Sequence, residues 1–365
     1  MQARTIRDDT GTGAGADVEG DGPDDRAAES GNNRTWRSRH VVLPRLALGL
    51  VLLVLAALPL FLAPYPIGLA GRILAFALLV VSVDLLTGVT GMPTLGQVAY
   101  FGTGAYTAGL VGIHLSENGF VQLAAGIGAA AVLALVTGAV AVRTSGIVFL
   151  MVTLAIGELV HRVADSMSLV GASNGLAGIP AITVVPGGEP LLLAGYVYWW
   201  VLGVFVVGML VAYLVVRSPL GRSMRGVRDG EKRLHAIGQQ TYPVKLAAYT
   251  VAGGLAGAAG TAWVAQTRFF SPGDLGFDVA AFALLSVVLG GAGTLWGPAI
   301  GAAVVVLVRD WLSTYVDGKG ALMLGIVFVI AVYTLPRGVA GARWKRRPAT
   351  RRPATRRPAT GRDTT

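Results

Sequence analysis

Long apolar runs separated by short polar ones fill this chain from about residue 46 to residue 336. They fall at about 46–63, 66–87, 94–113, 120–142, 146–168, 191–216, 246–267, 278–292, 296–313 and 321–336. The runs are continuous rather than alternating, and several exceed the roughly 18 apolar residues that mark a spanning helix. A transmembrane barrel, whose strands alternate, does not fit them. The pattern therefore predicts an all-α polytopic membrane protein with about ten transmembrane helices (8–10). Two runs are weaker: 94–113 is broken by glycines and 278–292 is short. A re-entrant segment buried in protein also fits them.

The longest polar interruption is 217–245, RSPLGRSMRGVRDGEKRLHAIGQQTYPVK. It cannot lie in hydrocarbon, where each unpaired charge costs about 2.5–3.5 kcal/mol on insertion scales. Its Lys/Arg excess assigns it to the cytoplasmic side. Arg34, Arg37, Arg39 and Arg45 before the first run assign the N-terminus to the same side. Six crossings then separate the N-terminus from the loop, and four more return the C-terminus inside. Arg143 falls in an inner turn and HLSENG (114–119) in an outer one, as that count requires. The segment 169–190 is too polar and Gly/Pro-rich to span and predicts a small outer cap. A basic, helical inner loop has two readings: a topology anchor, or a docking surface for a soluble partner.

Composition supports this picture. The chain has 365 residues, of which 53% are hydrophobic and 14% charged, too few charges to cover a soluble domain. Most of the +10 net charge sits in the 217–245 loop and the tail, where RRPAT occurs three times over 346–360. Anionic lipid and topology account for it, and no interleaved aromatics suggest nucleic acid. The absence of cysteine excludes disulfides and thiolate metal sites. Residues 1–40 are polar and predict a disordered cytoplasmic segment with no cleavable signal. Residues 41–340 form the expected transmembrane domain, and 341–365 a basic disordered tail.

Four clusters of residues carry candidate chemistry. In 88–110, Gly96, Gly102 and Gly104 let backbones approach closely, and Thr94 and Gln97 add hydrogen-bonding groups. Helix packing or a solute path fits this stretch. Glu158, His161, Arg162 and Asp165 recur at i, i+3, i+4 and i+7, on one helix face. Glu158 is expected deepest, while the other three approach the outer mouth as a relay or a paired cluster. GASNGLAGIP (171–180), with Asn174, is either a turn-rich loop or a shaped vestibule. SVVLGGAGTLWGPAIGA (286–302) is placed by topology as an inner hairpin, with Trp296 at the interface. No GxxxxGK[ST] and no HExxH is present, so no ATPase or other enzymatic site of its own is expected.

The stretches TLGQVAYFGTGAYTAGL (94–110), GIVFLMVTLAIGEL (146–159), ASNGLAGIP (172–180), RSPLGRSMRGVRDGEKRLHAIG (217–238), KLAAYTVAGGLAGAAG (245–260), FFSP (269–272), VVLGGAGTLWGPAIGA (287–302) and LPRG (335–338) stand in this order. The ordered set resembles the membrane-spanning permease of branched-chain amino acid ABC importers, LivM type. The resemblance implies an importer subunit that binds no cofactor itself and uses ATP through partner subunits. The implied partners are ABC ATPase subunits, a second homologous permease and an extracytoplasmic solute-binding protein. It implies that the 217–245 loop carries a coupling helix, with Glu231 to Gly238 as the docking segment. Arg225 and Arg228 would then face acidic ATPase residues, and Leu234, Ala236 and Ile237 would enter its cleft. The solute path would run past Thr94, Gly96, Gln97, Gly102, Gly104, Glu158 and Asn174. Thr94 and Gln97 stand where the family often has Ser and His, and Lys232, Arg233 and His235 make the docking segment more basic than usual. Permeases for urea and short-chain amides are closely similar, and a proton-coupled transporter or a channel is the rival class.

Overall fold

The structure, a computed structural model, describes residues 53–60, 63–183, 191, 193–236, 238–315 and 325, with the backbone alone given for 194 and 311–315. The polar N-terminal segment, half of the first predicted span, the span at 321–336 apart from Gly325, the tail and Ile237 lie outside the described residues. Contacts divide the chain into two units, Met1–Ala57 and Leu58–Thr365. In the first, residues 53–57 are helical.

The second unit is built from helices. They are α1 (Pro64–Asp84), α2 (Gln97–His114), α3 (Gly119–Ala141), α4 (Gly146–Ser166), α5 (Ala194–Arg217), α6 (Pro219–Ala236), α7 (Thr241–Thr267), α8 (Phe277–Gly290) and α9 (Trp296–Tyr315). Among the described residues the β-structure consists of isolated bridges, Asn118 with Thr183 and Leu176 with Phe270. This is an all-α multi-pass membrane protein. Four segments are long and apolar enough to cross a bilayer by themselves: Pro64–Thr90, Gly119–Ala141, Gly146–Ser166 and Gly195–Arg217. The ten-span count rests on the further helices. α8, with 14 residues, is about 21 Å long at 1.5 Å per residue, short of a hydrocarbon core of about 30 Å.

Apart from Arg72 and Asp84, α1 is apolar on every face, which suits a helix surrounded by others. From Leu74 to Leu86 its side chains are buried among neighbouring helices. α7 lies against it and is lined with alanine and glycine from Ala248 to Ala265. Small side chains let α2 and α3 approach α7 to backbone distance. At Gly104 a side chain would collide with the Gly257 backbone, and at Gly260 with the carbonyl of Phe101. Tyr100, fully buried on α2, ties the three helices together. Its hydroxyl is 2.6 Å from Thr137 Oγ1 and donates to Tyr249 Oη at 2.9 Å.

These contacts fix helix direction. Gly104 meets Gly257 and Phe101 meets Gly260, so α2 runs parallel to α7. Gly126 meets Thr261 and Gly138 meets Tyr249, so α3 runs antiparallel. Gly71 of α1 meets Gln266, near the end of α7 remote from the basic loop. The molecule thus has a loop side, where α1, α3, α5 and α8 end, and a far side. The expected hairpin at 286–302 is found on the loop side, its turn at Gly291–Leu295 packed against the end of α1.

Candidate functional site

The basic loop folds as α6, an amphipathic helix that buries Gly221, Met224 and Val227 and exposes its arginines. Gly230 breaks it with φ 158° and ψ 99°, so that one longer and one shorter helical piece meet at an angle. The short piece folds back, and Leu234 packs onto Gly226 of the long piece. Gly238 closes it at φ 80°, donating from N–H to the His235 carbonyl at 3.0 Å. A residue with positive φ ending a helix is a common stop, and glycine adopts it without steric cost.

An ion pair then fastens the fold-back to the next spanning helix. Glu231 Oε1 lies 2.5 Å from Lys245 Nζ at the start of α7 and accepts from Thr241 Oγ1 at 2.9 Å. Partial burial pushes the Glu231 carboxyl up. The hydrogen bonds from Lys245 and Thr241, with the positive charges of Lys245 and His235, outweigh that and hold it below its ordinary value.

A second connection runs deeper. α1 ends in a π-helical turn, Leu85–Thr90, the kind of irregularity that recurs at functional sites. Arg228 of α6 reaches into it and donates from Nη1 to the Gly88 carbonyl. Gly91, at φ 77°, leaves room for the Arg228 stem, whose Cγ would lie 2.9 Å from a Cβ there. Asp84, with no exposed surface, sits at the start of the same turn. Its Oδ1 accepts from Gly293 N–H at 2.6 Å and its Oδ2 from Leu295 N–H at 3.2 Å. Loop helix, central helix and the 291–295 hairpin therefore meet at one polar joint.

The other expected site residues are placed as follows. Of the docking set, Glu231 and Leu234 turn inward, to Lys245 and Gly226. Arg225 is exposed and donates to the Val216 carbonyl at 3.0 Å, and Arg228 goes to Gly88. Ala236 and Gly238 are exposed, with Lys232, Arg233 and His235 beside them. Of the path set, Gly102 is filled by Leu275, Gly104 by α7, and Gly96 by the Thr153 backbone of α4, 2.7 Å from where a Cβ would sit. Thr94 is buried and accepts from Gly96 N–H at 3.1 Å. Gln97 is fully buried, and neither amide atom has a partner. Glu158 is exposed on α4 and paired with Arg162 at 2.8 Å. His161 instead meets the Pro272 carbonyl at 2.9 Å. Asn174 is exposed on the far side, where two short 3₁₀ turns, Ser168–Val170 and Ala172–Asn174, stand in place of a spanning helix.

Sequence reasoning missed Asp84. The signal was there: a single carboxylate inside an apolar run, which by cost alone marks a functional or structural joint. Arg72 in the same run was missed in the same way.

A bundle of apolar helices with a basic, braced loop on one side is the build of a multi-pass membrane protein. Comparison with known proteins agrees. Residues 65–332 match the model of the branched-chain amino acid transport system / permease component family, and the chain belongs to that family. It is 28% identical over 323 residues to the high-affinity branched-chain amino acid transport system permease protein LivM of Salmonella typhimurium, covering 82% of this chain and 75% of that one. To LivM of Escherichia coli it is 28% identical over 312 residues, 79% and 73% of the two chains. A shorter match, 26% over 167 residues, is to the autoinducer 2 import system permease protein LsrC of Salmonella typhimurium, 42% of this chain and 46% of that one. No solved structure matches the chain significantly.

Proposed function

We propose that this chain is the membrane-spanning subunit of an ATP-driven importer for branched-chain, aliphatic amino acids. A separate ABC ATPase binds and hydrolyses the nucleotide and moves the 217–245 loop. A second permease subunit and an extracytoplasmic binding protein complete the transporter, with the loop and both termini on the cytoplasmic side. The observation that carries this reading is the polar joint of Arg228, Gly88, Asp84 and Gly293. A loop that served only as a topology anchor would need no brace into the central helix. A lever needs one, because a nucleotide state shifts the permease only through contacts that differ between its conformations. In this reading the docking face is the exposed tip, Lys232, Arg233, Ala236 and Gly238, while Glu231 and Leu234 hold the tip's shape. Thr94 and Gln97 border the path, and Gly96, Gly102 and Gly104 shape it by close packing. Glu158 and Asn174 meet solute where the second permease closes over this chain's exposed face.

The test is the double substitution Arg233→Glu, Ala236→Trp in the reconstituted transporter. Leucine uptake is expected to fall about tenfold or more, as when a buried interface charge is reversed. The permease should still elute as a folded species. Unchanged uptake would remove the docking assignment. Competition by leucine, isoleucine, valine and urea for the same uptake separates the amino-acid reading from the amide one.

A further inference from the structure

On the far side, two segments of the chain lie across one face of α2. The first, 172–179, follows α4. The second, 269–275, follows α7 and holds the 3₁₀ turn Pro272–Leu275. Backbone hydrogen bonds join the two. Leu176 N–H donates to the Phe270 carbonyl at 2.8 Å, and Phe270 N–H to the Leu176 carbonyl at 3.2 Å.

Gly102, Tyr106 and Gly109 stand at i, i+4 and i+7 on α2, which puts them on one face of the helix. Each of these glycines receives a leucine from the segments above it. Leu275 fills the space that a side chain at Gly102 would need, and Leu176 with Ile179 fills it at Gly109. Between them the Phe270 ring meets the Tyr106 ring edge to face, with centroids 4.9 Å apart. All of these side chains are buried. The two segments therefore sit on α2 as one lid, its apolar knobs in glycine notches.

A side-chain hydrogen bond ties this lid to α4: His161 Nδ1 donates to the Pro272 carbonyl at 2.9 Å. The closed seat also has a cost. The Tyr106 hydroxyl, on the covered face, is buried without a partner, and so is the Gln97 amide farther along α2 toward the loop side. Leaving a buried hydroxyl unpaired costs about as much as an ordinary hydrogen bond contributes, so the latch and the orphaned hydroxyl nearly offset each other. The bonds between Leu176 and Phe270 lie inside the lid and travel with it. Lifting the lid then costs mainly the apolar knobs and lets water reach Tyr106. Two arrangements that differ by a few such contacts are what a switching element needs.

We propose that 172–179 and 269–275 form the outer lid of the solute path, seated on α2, latched by His161 and lifted once in each transport cycle. The proposal rests on the importer reading and adds the element that closes the path on the far side. His161 is a positioning residue, acting through the lid rather than on the solute. Lifting bares Gly102 and Tyr106 and opens the way in toward Gln97.

The chain has no cysteine, so introduced thiols report alone. Asp165→Cys on α4 and Gly273→Cys on the lid are both at exposed positions, on the two sides of the latch. In the reconstituted transporter, bridging them with a reducible bifunctional thiol reagent is expected to cut leucine uptake about tenfold or more, with recovery on reduction. The monofunctional form of the reagent, which adds bulk without the bridge, should cost far less. Full uptake by the bridged protein, or equal loss with the monofunctional reagent, would overturn the proposal. A second experiment reads the lid without transport. Leu275→Cys, seated at Gly102, is labelled with a membrane-impermeant thiol reagent. His161→Ala should speed this labelling about fivefold, the factor set by one ordinary hydrogen bond. His161→Gln, which can donate to the same carbonyl, should restore most of the slow rate. An unchanged rate in His161→Ala would also overturn the proposal. If the unsubstituted transporter takes up leucine with ATP and the bridged protein does so equally, the lid fails and the importer reading stands. If the unsubstituted transporter takes up no leucine, both fail.

Discussion

Replacing Asp84 with alanine perturbs the joint at its least replaceable atom pair. The carboxylate accepts two backbone hydrogen bonds, at 2.6 Å from Gly293 and 3.2 Å from Leu295, in a place without solvent. Hydrogen bonds to a charged group contribute about 1.5–3 kcal/mol each, and the orphaned N–H groups would pay their own desolvation. Against this, alanine removes a buried charge whose desolvation was itself unfavourable. The balance is a loss of about 2–4 kcal/mol, centred on the hairpin. Asp84→Asn keeps one acceptor oxygen and should lose about half as much. The assay is the thermal midpoint of the detergent-solubilised protein, with the thiol-labelling rate of Thr294→Cys as a local reporter. Asp84→Ala should lower the midpoint and speed labelling about tenfold or more, since local opening follows local free energy. Arg228→Ala should speed it less, and the double variant should be non-additive because both residues brace the same turn. If Asp84→Ala leaves midpoint and labelling unchanged, the joint is not a brace and the lever argument fails.

Gln97→Leu should leave the thermal midpoint unchanged or raised, because a buried unpaired amide is replaced by an apolar side chain of similar size. Uptake should nevertheless fall about tenfold, and retained uptake would take Gln97 off the path. Gly104→Val places a side chain against the Gly257 backbone. It should cost about 3 kcal/mol or more, read as loss of the monodisperse species in size-exclusion chromatography. The Glu231–Lys245 pair follows pH with a defined sign. A carboxyl held below its usual value, about 4.3 for Glu, stabilises the fold-back fully above that pH and loses its contribution as pH falls through the lower folded value. Limited proteolysis at residues 236–240 should therefore be flat from pH 8 to about 5 and rise only in stronger acid. Glu231→Gln should remove that acid dependence, and its size stays near 0.5–1 kcal/mol because Glu231 is about one-third exposed and screened.

The sequence was most legible where one cause acts alone. The need to bury backbone polar groups in lipid makes long apolar runs helical, and α1, α3, α4 and α5 lie where the runs predict them. The loop and its helix were legible because charge cannot enter hydrocarbon. Less legible was which glycines face solute and which face helices. Gly102 and Gly104 carry the same local pattern either way, and only the position of α7 and Leu275 decides for packing. For Glu158 the i, i+4 spacing announces the pair with Arg162, while which face of α4 the neighbouring helices leave open is set by packing that spacing does not show. Arg228 was expected to point outward to a partner. Its reach into the Gly88 turn follows from the π-helical end of α1, which no spacing rule announces.

The most direct measurement places the purified chain in liposomes, with and without its ABC ATPase and solute-binding partners, and follows labelled leucine. The account predicts accumulation only when the partners and ATP are both present, and its loss on Arg233→Glu, Ala236→Trp. Accumulation by the chain alone, driven by a proton gradient without nucleotide, would contradict it.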